Sequence, residues 1–338
     1  MTKNSLPAFI RALQEPMKYP HPVKDVSLVQ THISYVLLAG DFVYKFKKPV
    51  DFGFLDFSEL EKRKSCCQRE LVLNRRLCPD IYLDLVQVTE LDGQFALNGE
   101  GAVIEYGVRM ARMPEERMMG KVIRAGQLTL DQLDRLVDVL IPFYQKAQGG
   151  KEIDSFGRAE AVSVNVLENF EQTESFVGQE ELPRERYETI VSYAQKMLSD
   201  KELFDRRVNE GRIRDCHGDL YSANICLADK VYIYDCIEFN DRFRYSDIAS
   251  DVAFLAMDLD FHGLEPFSRR FIERFCDASE DPGLLDVLDF YKCYRAYVRG
   301  KIGLFTAGDP AVAEEVRKAC LTDSARYFQL AEQYAVFR

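Results

Sequence analysis

Alternating apolar and polar positions mark the first third of the chain as strand-rich. Tyr35-Val-Leu-Leu-Ala and Phe42-Val-Tyr-Lys-Phe flank Gly40-Asp41, and Leu85-Val-Gln-Val-Thr and Gln94-Phe-Ala-Leu flank Asp92-Gly93. Runs of this kind on either side of a two-residue turn signal predict hairpins, so residues 34–112 are expected to hold two hairpins of one antiparallel sheet. Between the hairpins the period lengthens. Ser58-Glu-Leu-Glu61 reads as a capping box, and Leu60, Cys67, Leu71, Leu73 and Leu77 follow it before Pro79, which predicts one inserted helix of about 20 residues.

Residues 103–114 read as a last strand that runs out at Pro114, which places a hinge at Met110 to Pro114. Helical spacing then takes over. Leu130, Leu133, Leu136, Val137, Leu140, Phe143 and Tyr144 make one apolar face behind Thr129 as its cap. Further helices are predicted at 184–198, 246–260, 266–276 and 284–305. The exception is a short hairpin, in which Asn224-Ile-Cys-Leu and Val231-Tyr-Ile-Tyr-Asp235 flank Ala228-Asp-Lys230. The pattern predicts a small strand-rich lobe over residues 1–112 and a larger, mainly helical lobe over 113–338, sharing one cleft.

The hairpin carries the sharpest chemical signal. Cys216-His-Gly-Asp-Leu-Tyr-Ser-Ala-Asn-Ile225 sets Asp219 and Asn224 five residues apart in a loop, and the strand pair after it ends in Asp235. Phosphoryl transfer asks little covalent chemistry of a protein: a carboxylate to orient the attacking hydroxyl and take its proton, and hard oxygen ligands to hold magnesium on the nucleotide phosphates. Asp219 suits the first role, and Asn224 and Asp235 suit the second. An Asp in a glycine turn is on its own more often a local cap or Asx-turn; the Asn and the later acid are what favour chemistry here.

In this stretch the sequence resembles the aminoglycoside phosphotransferase family. His217-Gly-Asp-Leu-Tyr-Ser-Ala-Asn224-Ile, then Tyr234-Asp-Cys-Ile-Glu-Phe, then Tyr245-Ser-Asp-Ile-Ala-Ser-Asp251-Val-Ala look like its catalytic loop, metal-binding acid and following helix. They are similar to a predicted-kinase branch of that family whose substrate is unsettled. The resemblance implies an α+β, protein-kinase-like bilobal fold, with a small N-terminal antiparallel-sheet lobe holding one helix and a larger, mainly helical C-terminal lobe. It also implies ATP in the cleft, Asp219 as catalytic base and Asn224 and Asp235 on the metal. His217 then buttresses the loop, and Asp247, at the start of the next helix, is structural.

Such a fold needs a strand lysine on the nucleotide phosphates and a helix glutamate to fix it. In Val43-Tyr-Lys45-Phe-Lys47 the alternation puts both lysines on one face; Lys45 lies further inside the strand and is the choice, with Glu70 near the middle of the helix as its partner. Glu59 and Glu61 sit in the first turn, where they are explained as capping. Gln30-Thr-His-Ile-Ser-Tyr35 occupies the place of a phosphate-covering loop without Gly-x-Gly-x-x-Gly, so Thr31 and Ser34 hydroxyls and backbone amides would have to serve there. No Gly-x-x-x-x-Gly-Lys-Ser/Thr run offers a P-loop instead.

Composition narrows the classes. A net charge of −11 argues against binding nucleic acid, and no apolar run reaches the roughly 20 residues of a membrane span. The N-terminus has neither the basic nor the apolar region of a signal peptide, so the cytoplasm is the expected address. The nine cysteines contain no Cys-x-x-Cys and are read as reduced, mostly core thiols.

Two sets of charges bear on the substrate, with opposite signs. Glu238, Asp241, Asp258 and Asp260 either line a pocket for an amine or serve as caps and ion-pair partners. Arg295 and Arg299, one helical turn apart, either receive an anionic group or pair with acids such as Asp247 and Asp251. The expectation is an ATP- and Mg2+-dependent kinase of a small-molecule hydroxyl; the alternative is a non-catalytic nucleotide-binding pseudokinase or scaffold module.

Overall fold

The computed structural model describes residues 6–310 and 312–336. In chain order the elements are α1 (Ala8–Ala12), β1 (Val26–Gln30), β2 (Ser34–Ala39), β3 (Phe42–Lys47), α2 (Leu60–Asn74), β4 (Tyr82–Leu91), β5 (Gln94–Leu97) and β6 (Ala102–Ala111). Then follow α3 (Met119–Arg124), α4 (Leu130–Lys146), α5 (Lys151–Asp154), α6 (Ala159–Thr173), α7 (Arg184–Ser199), α8 (Lys201–Asn209), β7 (Ile213–Asp215), β8 (Ile225–Leu227) and β9 (Val231–Ile233). The chain closes with β10 (Tyr245–Asp247), α9 (Ile248–Phe261), α10 (Glu265–Ser279), α11 (Leu284–Gly308) and α12 (Glu314–Val336). They divide into two compact units: residues 6–117 with 228–241, and residues 118–227 with 242–336.

The first unit is built on a six-stranded antiparallel sheet of order β1-β2-β3-β6-β4-β5. Both expected hairpins form, with Ala39 opposite Phe42 and Leu91 opposite Gln94. At the second turn Asp92 and Gly93 both have positive φ, 50° and 76°, the backbone that matches the twist of paired strands. β6 sits centrally between β3 and β4. Gly107 in β6 leaves room for the Phe46 ring, which a Cβ at that position would meet at 2.6 Å.

Helix α2 runs over Leu60–Asn74, shorter than expected, and Ser58 does not cap it. The Ser58 hydroxyl donates instead to Asp56 Oδ1 at 2.6 Å, while Arg63 Nη1 bonds the carbonyls of Phe57 (2.9 Å) and Ser58 (3.1 Å). The helix stops well before Pro79, where tight turns close onto the Leu73 and Asn74 carbonyls. Its buried face includes Arg63, Cys66, Cys67, Glu70, Leu71 and Asn74. That spacing is helical, but half of the stripe is polar, and each polar member has a dedicated partner: Arg63 holds Glu105 at 2.9 Å, and Asn74 accepts the Cys236 amide at 2.9 Å.

The second unit is organised around α9, which is buried almost throughout, with Ser250, Asp251 and Asp258 inside among its apolar residues. α11 packs against it, and α12 against α11. Thr129 caps α4 as expected, in a full capping box with Gln132. The helical reading missed β7, β10, α3, α5, α6, α8 and α12; β7 pairs antiparallel with β10, Asp215 opposite Tyr245. Among the described residues no cysteine is in a disulfide, and seven of the nine are buried.

Candidate active site

In the first unit the structure brings Lys45, Glu70 and Asp235 together. Lys45 Nζ lies 2.8 Å from Glu70 Oε1 and 2.5 Å from Asp235 Oδ1. Lys47, two residues on and therefore on the same face, is more deeply buried; its Nζ reaches Glu70 Oε2 at 2.6 Å and also bonds Glu238 Oε1. Glu70 thus serves two lysines with one carboxylate. Burial opposes the charge on both amines, but for Lys45 the carboxylates of Asp235 and Glu70 outweigh it, as those of Glu238 and Glu70 do for Lys47, and both pKa values rise well above the ordinary range. Burial likewise opposes ionisation of Glu70, and the two lysines overcome it, holding its pKa down at about 2. The groups are charged together, which is the condition for a buried ionic cluster to persist.

Asp235 is set by its backbone. Its φ is 62°, a left-handed conformation uncommon for a residue with a Cβ. Its amide donates to the Tyr82 hydroxyl at 3.2 Å, and the next amide, of Cys236, is held by Asn74. The Asp235 side chain nonetheless remains 44% exposed, against 1% for Glu70. A strained, pinned and accessible acid marks a functional position more often than a structural one.

In the second unit the loop 216–224 is held from beneath by Asp251 on α9, which is fully buried. Its carboxylate accepts the amides of His217 (2.7 Å) and Gly218 (2.9 Å) and the Tyr144 hydroxyl (3.0 Å). Arg295 adds a bond to the Gly218 carbonyl at 2.9 Å. His217 is buried, and its Nδ1 accepts the Asp219 amide at 3.3 Å. Asn224 Nδ2 donates to Asp219 Oδ2 at 2.8 Å and to the Asp219 carbonyl at 3.0 Å, which turns the Asn224 carbonyl oxygen away from Asp219.

Other sequence candidates separate cleanly. Asp247 caps α9 through the Ala249 amide (2.8 Å) and takes both arms of Arg207 at 2.7 and 2.8 Å, so it braces the helix start, and Asp251, not Asp247, holds the loop. The Thr31 hydroxyl accepts the Ser34 amide at 2.9 Å inside its own turn, while the buried Ser34 hydroxyl has no hydrogen-bond partner. All four acids considered for an amine pocket have partners: Glu238 with Lys47, Asp241 with Arg69, Asp258 with the Ser222 amide, and Asp260 with Lys292 and Tyr334. Arg295 lies 3.8 Å from Asp251. Lys47 and Glu238 were missed as partners of the cluster, although strand alternation had put Lys47 on the Lys45 face.

No family model matches the chain. An uncharacterized protein of Mycobacterium tuberculosis and one of Mycobacterium bovis are each 35% identical to it over 309 residues, 88% of this chain and 59% of theirs. The chain therefore spans about three fifths of the length of these curated relatives. Among solved structures, a choline/ethanolamine kinase family protein from Mesorhizobium loti superposes with a TM-score of 0.50 at 10% identity, covering 96% of this chain and 98% of that one. A Plasmodium vivax ethanolamine kinase gives 0.48 at 10% identity, over 89% and 81%. The chain has the protein-kinase-like α+β fold seen in that Mesorhizobium kinase family protein.

Proposed function

We propose that this chain is an ATP- and magnesium-dependent phosphotransferase acting on a hydroxyl of a small molecule. The observation that carries the reading is Lys45, fixed by Glu70 on α2 and meeting an accessible Asp235; a strand lysine, a helix glutamate and a metal-binding acid are the parts with which kinase folds hold nucleotide phosphates. On ATP binding, Lys45 exchanges its Asp235 contact for phosphate oxygens while Glu70 keeps it aimed. The Asp235 carboxylate and the Asn224 side-chain carbonyl are each hard oxygen donors of the type magnesium takes. Magnesium, when bound, neutralises charge on the phosphates.

Asp219 orients the acceptor hydroxyl and takes its proton as the oxygen bonds to the γ-phosphorus and the bond to the ADP oxygen breaks. Asn224 fixes the Asp219 carboxylate through its 2.8 Å bond, and Asp251 keeps the loop from collapsing under it.

The test pairs two variants. Wild type should show a magnesium-dependent rise in melting temperature with ATP, since a ligand at 100 times its Kd adds about 2.7 kcal/mol, and Asp235→Ala should lose it. Asp219→Ala should keep the nucleotide shift and lose ADP production. Full ADP production by Asp219→Ala removes that residue from the mechanism. A nucleotide shift in wild type with no turnover across a broad panel of hydroxyl compounds would turn the assignment to a non-catalytic nucleotide-binding module.

A further inference from the structure

The charges around the loop 216–224 are unequally matched. Buried arginines are almost always paired, and in the second unit Arg207 meets Asp247 and Asp281, Arg244 meets Asp215, and Arg295 meets Asp251 and two carbonyls. Arg299, one turn beyond Arg295 on α11 and half-buried, differs from these three. Among the described residues no carboxylate lies within 4.0 Å of it, and its buried Nε has no hydrogen-bond partner. Its guanidinium lies instead over the rings of Tyr221, at 4.9 Å, and Tyr327, at 5.6 Å.

Those rings fix where the charge is presented. Tyr221 is two residues beyond Asp219 and stacks on Phe254 with ring centres 5.2 Å apart and planes 7° from parallel. The guanidinium also bonds the Tyr327 hydroxyl, and its remaining N–H groups, the buried Nε among them, fit the paired oxygens of a carboxylate or phosphate. Burial weakens the charge on Arg299, but the Tyr221 and Tyr327 oxygens and the Asp219 carboxylate more than offset this. The nearby acids on packed helices are engaged elsewhere: Asp258 accepts the Ser222 amide, and Asp323 lies 3.3 Å from Arg326.

We propose that Arg299 recognises an oxyanion on the acceptor, so that the substrate is a hydroxyl compound that also carries a carboxylate or a phosphate. This rests on the phosphotransferase reading. The acceptor's anionic group docks on Arg299 between the two tyrosines, and its hydroxyl is thereby presented at Asp219. The same arrangement disfavours amines, whose charge Arg299 repels and for which the partnered acids offer no counterion.

The experiment uses the full chain and compounds that differ in charge: glycerate against glycerol, gluconate against sorbitol, glycerol phosphate against glycerol, and ethanolamine as the amine. Melting shifts are measured at constant nucleotide and magnesium for wild type, Arg299→Gln and Arg299→Lys, whose ligand-free melting temperatures report folding. At least one acid should stabilise wild type where its neutral counterpart does not. Its apparent Kd should weaken roughly tenfold or more in Arg299→Gln and less in Arg299→Lys, and turnover of that acid should show the loss mainly in KM. Equal binding of the acid by Arg299→Gln overturns the inference, as does equal stabilisation by the neutral or amine compounds, or no effect of any acid on wild type. A chain that binds Mg–ATP through Asp235 and phosphorylates only amines or uncharged alcohols keeps its phosphotransferase activity and loses the inference. Arg299-dependent acid binding with no nucleotide shift instead overturns phosphotransfer and leaves Arg299 an anion site.

Discussion

Replacing Asp251 with alanine should unfasten the loop 216–224 more than any other single change outside it. The side chain is fully buried and accepts two backbone amides and one phenol while facing Arg295. Hydrogen bonds to a charged group contribute about 1.5–3 kcal/mol each, and breaking a buried ion pair costs about 3–5 kcal/mol. These sums are not additive. Arg295 keeps the Gly218 and Ser250 carbonyls, so the expected loss is about 4 kcal/mol. Asp251→Asn retains an acceptor oxygen but turns a donor toward the amides, for about 2 kcal/mol, and Tyr144→Phe, which removes only the phenol bond, about 1 kcal/mol. Urea unfolding gives the global values, and amide hydrogen exchange resolves the local event: His217 and Gly218 should exchange faster by about three orders of magnitude in Asp251→Ala if they open with the loop. A loss no larger than that of Tyr144→Phe, with unchanged protection at those two amides, would refute the assignment of Asp251 as the loop's anchor.

Two further outcomes follow from the shifted groups. Glu70 has its pKa lowered from 4.5 to about 2, so the carboxylate's contribution to stability is complete above pH 4.5 and disappears as pH falls toward 2; the gap in urea midpoint between wild type and Glu70→Gln should be constant at higher pH and close across that window, and a gap that does not change with pH would contradict the ionic cluster. Lys301 moves the other way, its amine lowered from 10.5 to about 8, chiefly by burial, with Arg242 adding to it. Folding then opposes its protonation, so the stability of Lys301→Met relative to wild type should be steady below pH 8 and fall between pH 8 and 10.5, whatever offset is added by the lost bond to Gln172.

The parts of the fold that could be read from sequence are those where a local device agrees with the tertiary one. The turns at Gly40-Asp41 and Asp92-Gly93 sit between alternating strands, and Thr129 precedes a clean apolar stripe, so the hairpins and α4 were evident. Strands β7 and β10 are three residues long, too short for periodicity to register, and α6 buries Asn169 and Thr173 among its apolar residues. Helix α2 shows the limit most clearly. Its inner face is partly ionic, and only the partners Glu105, Lys45, Lys47 and Cys236, distant in sequence, give those residues a reason to be inside. For the same reason alternation made Lys45 and Lys47 equivalent, and spacing could not distinguish Asp247, which caps a helix, from Asp251, which holds a loop.

The first unit is discontinuous, and this bears on how the chain is made. When residue 117 leaves the ribosome, Glu70 is the one carboxylate available to two lysines that end up buried; Asp235 and Glu238 arrive only after residues 118–227, another 110 positions, have been synthesised. At about 5–20 residues per second that is a delay of roughly ten seconds. During that interval the nascent sheet carries uncompensated positive charge where its interior will be, which disfavours early closure of α2 onto β3. The charge of this cluster is therefore balanced only once the segment that carries Asp235 and Glu238 back to the first unit has been delivered.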